Sequence, residues 1–168
     1  MDLLLELFED PAYRHVLVNH LPVTGLAFAW LVLFFATIEN RWRSISFGFA
    51  LVLITSASAI IVMNSGDDAY PFIYDMLDGI GRAWLDHHTR IADDWGRLLI
   101  GNAVLAAAAI GLGAWRASWR RHLAIALLAS TLVSLSAAVF IAEAGGKIRH
   151  SEFRLSDPPE NDTGLRQR

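Results

Sequence analysis

The sequence predicts an all-α integral membrane protein: a four-helix up-down bundle with an extra amphipathic helical segment on its outer side. Three observations carry that expectation. Of the 168 residues, 54% are hydrophobic and 18% charged. The apolar residues are clumped into four runs, about 21–38, 45–63, 98–115 and 123–142, each without a charged residue. Each run is long enough to cross roughly 30 Å of hydrocarbon as a helix, and none has the polar stripe of a soluble amphipathic helix. The links between runs differ in charge, which is how membrane proteins encode orientation.

The composition excludes several classes. The chain has no cysteine, so disulfide frameworks, zinc-thiolate sites, cysteine-held iron–sulfur clusters and covalent c-type haem are ruled out. A net charge of −3 offers no electrostatic footprint for nucleic acid. No G-x-S-x-G element and no Gly-rich phosphate loop is present, so a nucleophilic enzyme or nucleotide-binding protein is not expected. Apolar spans without charge or break lack the ion path of a transporter.

The elements follow in chain order. Residues 1–14 begin MDLLLELFED, without the basic n-region or cleavage site of a signal peptide. Leu3, Leu4, Leu7 and Phe8 share a helical face, which suits a short helix lying on the outer membrane surface. The four-span domain covers 15–150, with Asn19 or His20 expected to cap the first span ahead of Pro22. The links after the first and third spans carry Arg41 and Arg43, and Arg116, Arg120 and Arg121. The positive-inside rule places both in the cytoplasm, and so both termini in the periplasm of a bacterial inner membrane. Trp42, Trp115 and Trp119 flank the Arg side, and Trp84 and Trp95 the acidic side, as interfacial belts. The long acidic segment 67–94 has helical spacing, with Gly79 and Gly81 expected to break it and the part after Arg82 expected to run into the third span. Small residues Gly101, Ala108, Gly111 and Gly113, and Ser130, Ser134 and Ser136, suit close helix approach and cross-helix bonds. The polar tail 151–168 is expected to be disordered.

Five of the six histidines, His15, His20, His87, His88 and His150, fall on the outer side in this topology. At about 1.5 Å per residue, His88 lies about 15 Å above the third span, with His15 and His150 at similar heights. The Gly145-Gly146 pair is expected to fold His150 back toward the bundle. First and third helices of an up-down bundle are diagonal, so their histidines can face each other. His88 shares the apolar face of Trp84 and Leu85, and His87 is expected to point outward.

Imidazole is the usual axial ligand of b-type haem and the commonest metal ligand. Three readings stay open. Two of His15, His88 and His150 hold haem b, with Lys147 and Arg149 pairing its propionates. Alternatively the three histidines hold a copper or zinc ion, with His20, Asp93 or Glu152 as spare ligands. In the third reading the chain is a non-catalytic accessory subunit of a larger membrane complex.

Three short motifs carry a resemblance. His15 to Pro22 is similar to the His-x4-His-Phe-Pro opening of DUF2231-type membrane proteins, and Gly145 to Arg154 resembles the Gly-Gly element closing their last helix. With Trp84 to His88, the layout also resembles a group of small four-span bacterial proteins of uncharacterised function. The resemblance favours His15, His88 and His150 over His20 and His87. Relatives of this type are sometimes joined to Rieske or cytochrome domains. That implies electron transfer near a quinone pool, within a respiratory or photosynthetic membrane complex.

Overall fold

A computed structural model describes residues 9–158. Helix α1 (Pro11–Val18) passes through a π turn (Leu21–Gly25) into α2 (Leu26–Glu39), followed by α3 (Trp42–Met76), α4 (Gly79–Trp115) and α5 (Arg120–Arg149). Short 3-10 turns lie at Ala117–Trp119 and Ser151–Phe153. The surface helix expected for 1–14 falls largely outside the described residues. His15 lies within α1, which starts at Pro11.

The first rod runs unbroken from Pro11 to Glu39 and is one of four helices long and apolar enough to cross a membrane. No side chain caps it at Asn19 or His20. The reason is the π turn: Leu26 N–H donates to Leu21 C=O, five residues back. The wider winding lets the helix continue past Pro22, which has no N–H to give. Asn40 then ends α2 in the left-handed conformation at φ 57°, a geometry Asn tolerates. The break in the acidic segment falls at Leu77 and Asp78, both extended. Gly79 and Gly81 lie inside the first turn of α4, where Asp78 Oδ1 accepts the Gly81 N–H at 2.7 Å. An N-terminal cap outweighs the low helix propensity of the two glycines.

The four rods pack in an up-down bundle, with α2 on α3, α3 on α4, α4 on α5 and α5 back on α2. Phe28, Phe35, Ile54, Val104 and Val133 point outward and are mostly exposed; such a surface belongs in hydrocarbon, so the chain is a multi-pass membrane protein. The 37 residues of α4 span about 55 Å at 1.5 Å each, well beyond the hydrocarbon thickness. The excess projects at the end away from the arginine links.

The main core sits toward the arginine-linked end, where Leu26, Leu33, Phe49, Val52, Ala106 and Ala124 are fully buried. Midway, Asn102 on α4 donates to Ser56 Oγ on α3 at 3.0 Å and Thr131 Oγ1 on α5 at 3.3 Å. Of the expected serines, Ser134 bonds across to Leu98 C=O, whereas Ser136 bonds within its own helix. Trp84 is 2% exposed, so it is a packed residue between helices and not part of an interfacial belt; Trp95, at 48%, fits a belt.

Candidate functional site

Above the core the rods part around a cavity of about 760 Å³. Its floor is a small buried cluster, Ala59, Leu99 and Ala138, packed against Val23. Its walls are mainly apolar, including Val62, Met63, Leu85 and Ile141. α1 packs on α3, and Arg14 fastens it there through Asp68 at 3.1 Å. Asp10 starts α1 by accepting the N–H groups of Ala12 and Tyr13, which supplies the capping bonds a helix start needs.

Two histidines meet inside this cavity. His15, on α1, places Nδ1 3.0 Å from Val62 C=O on α3. His88, on α4, places Nδ1 3.0 Å from Ile141 C=O on α5. A carbonyl only accepts, so both rings carry a proton on Nδ1, which leaves Nε2 as the ring nitrogen turned to a ligand. A backbone carbonyl fixing the tautomer in this way is the usual outer support of a metal-ligating histidine. The ring centroids are 6.5 Å apart with planes at 85°. Two nitrogens on opposite sides of one metal, each about 2.0–2.1 Å from it and with about 1.1 Å more to each ring centre, would put the centroids about 6.3 Å apart. The observed spacing matches that figure.

The two halves are built alike. Each histidine faces a carbonyl whose residue stands four positions before a glycine, Val62 and Gly66 for His15, Ile141 and Gly145 for His88. A Cβ on Gly66 would lie 3.1 Å from His15 Cε1 and Nδ1, and one on Gly145 would lie 3.1 Å from His88 Cε1. Glycine is what allows each ring to lie against the neighbouring backbone. His88 stands ten positions ahead of the apolar stretch beginning at Leu98, and burial pushes its pKa from 6.5 down to about 4. Its ring is therefore neutral at physiological pH, as a ligand must be.

The remaining candidates are dispersed. His150 reaches the cavity rim but is largely exposed; it bonds Glu152 at 2.8 Å and stacks on Phe153. Glu152 is engaged by His150, and hydrogen bonds from its own backbone and from His150 hold its carboxyl below the ordinary range. The Gly145-Gly146 pair does not fold the chain back, because α5 continues through it to Arg149. Arg149, His20 and Asp93 line the cavity, with His20 Nδ1 on Val16 C=O at 3.2 Å. Lys147 does not line it. It bridges Glu143 and sits over the Trp84 ring at 4.9 Å. His87 does not point outward as expected; its ring packs edge-on against Trp84 and is part-buried. Among the described residues, no three of His, Cys, Asp and Glu are grouped to hold a metal ion.

Sequence reasoning missed Gly66, the Val62 and Ile141 carbonyls, and Asn102. Gly66 and Gly145 were visible as small residues in helical segments, but which ring each would admit depends on a helix distant in sequence.

No family model matches the chain, and no curated protein or solved structure matches it either.

Proposed function

We propose that the chain is a b-type cytochrome-like electron-transfer protein, with haem iron held between His15 and His88 at the periplasmic end of a bundle in a bacterial inner membrane. The observation that carries this reading is the opposed pair: two imidazoles with perpendicular planes, 6.5 Å apart, each steadied by a carbonyl. A bare zinc ion wants four ligands, and among the described residues no third donor is grouped with the two imidazoles to supply them. A porphyrin would bring four nitrogens of its own, and His15 and His88 would be the two side chains that hold its iron.

When bound, haem would supply reversible one-electron chemistry at iron. The chain's part is to present two lone pairs, to exclude water with apolar walls and to set the tautomer. Arg149 at the rim is the candidate partner for a propionate; Lys147, committed to Glu143 and Trp84, is not. The arginine-rich links favour the cytoplasm for the opposite end, which puts the site outside. The motif resemblance to DUF2231-type proteins supports a membrane-pool quinol or a larger membrane complex as the electron partner.

An absorption spectrum of detergent-purified protein, oxidised and then dithionite-reduced, tests this. The expected result is a Soret band and a sharp reduced α-band. Stoichiometric copper or zinc with no haem band, in protein made with ample haem, would overturn it in favour of the metal-ion reading. Neither haem nor metal would leave the accessory-subunit reading.

A further inference from the structure

We infer that Gly66 and Gly145, together with the carbonyls of Val62 and Ile141, are positioning elements that lock the His15 and His88 rings at right angles and so set the electronic state of the iron they hold. The inference rests on the haem reading of the same site.

Each ring is held at two points. The Nδ1 hydrogen bond fixes one edge to a neighbouring helix, at 3.0 Å in both cases. The glycine backbone supports the same edge from below. A Cβ at Gly145 would press on His88 at 3.1 Å from Cε1, 3.3 Å from Nδ1 and 3.8 Å from Nε2, and one at Gly66 on His15 at 3.1 Å. A ring so held has little freedom to turn about its Cβ–Cγ bond. The two clamps sit on different helices, α3 and α5, so the 85° between the planes is a property of the bundle and not of a bound group.

That angle has an electronic consequence. An axial imidazole donates π density into the iron d orbital perpendicular to its own ring. Parallel rings act on the same orbital and separate the dxz and dyz levels. Perpendicular rings act on one orbital each and leave the two nearly equal in energy. Low-spin ferric iron then shows a highly anisotropic signal with one dominant low-field feature, in place of three rhombic features. Outer groups acting on the axial ligand are a recognised means of tuning haem.

The test is electron paramagnetic resonance on the ferric holoprotein, with an independent readout on haem-free protein. The wild type should give the highly anisotropic signal. Gly145→Ala should turn His88 and move the signal toward the rhombic form while the low-spin optical bands persist, and Gly66→Ala should do so through His15. The two variants back each other if one does not fold. Gly111→Ala, where a Cβ meets nothing within 4 Å, should leave the signal unchanged. In haem-free protein, nitrogen-15 chemical shifts should show both rings protonated at Nδ1. A rhombic signal from haem-loaded wild type would overturn the clamp and leave the cytochrome reading standing. Failure to take up haem would overturn the cytochrome reading. The electronic consequence would fall with it, and the tautomers would then decide the ring positioning alone: Nδ1–H on both rings upholds it, and Nε2–H on either overturns it.

Discussion

Toward the arginine-linked end, Leu33, Phe49 and Ala124 are 0% exposed, and Arg120 closes the packing by lying 4.4 Å over the Trp42 ring while its Nε bonds Gly113 C=O. At the histidine end the same four rods surround a cavity of about 760 Å³. The contrast begins in side-chain size and glycine placement. Gly113 and Gly48 let Trp42 and Leu33 come in close, so the lower half fills. Gly66 and Gly145 instead admit imidazole rings, and Ala59, Leu99 and Ala138 beneath them are too small a set to fill the space above. One half stores stability; the other gives up packing to hold a pair of polar rings in a chosen pose.

That division can be broken from either end. The largest effect is expected from His88→Ala or His15→Ala. Haem titration should show affinity falling by more than the roughly 10–100-fold that outer-shell changes cost, with helix content unchanged by circular dichroism. Equal loss of helix in both variants would mean that the histidines are structural. Phe49→Ala should do the converse: unfolding in detergent should show a loss of about 3–5 kcal/mol, while the absorption spectrum of the folded fraction stays as in wild type.

Acidification of haem-free protein probes the histidine end alone. The unfolded chain takes up a proton near the ordinary histidine value of 6.5, whereas buried His88 resists until about 4. Stability is therefore complete above 6.5 and lost as pH falls through that window, by on the order of 3 kcal/mol. His88→Asn should remove most of this slope, leaving the smaller share of His87, whose pKa burial also lowers; an unchanged slope would assign it to another group. Between the two halves, Thr131→Val removes one bond of the Asn102 node and should cost about 0.6 kcal/mol, the average for such bonds in membrane proteins. Smallest of all, Gly111→Ala on the open face of α4 should stabilise by up to about 1 kcal/mol from helix propensity alone. A destabilisation there would reveal a packed neighbour on that face.

The helices were legible because the bilayer imposes a length and a polarity on each span. Charge-free runs at 98–115 and 123–142 lie within α4 and α5 for that reason alone. The π turn was not legible, since Pro22 reads as a helix start by local rules and only the rod's continuity makes it an interior residue. Trp84 and His87 were misplaced because α4 is longer than the hydrocarbon is thick. Its outer turns pack on α5 and Lys147, where a lipid interface was expected.

The same division runs through the site. Sequence by itself determined that the chain is an all-helical membrane bundle and that five of its six histidines crowd toward one end, because hydrophobic length and charge are carried locally by the residues. Tertiary structure alone decided that His15 and His88 meet, while His150 turns to Glu152 and Lys147 to Trp84. Which imidazole faces the interior depends on the rotation of each helix about its axis. That rotation is set by contacts with neighbouring helices 47 and 53 positions away along the chain, at Val62 and Ile141.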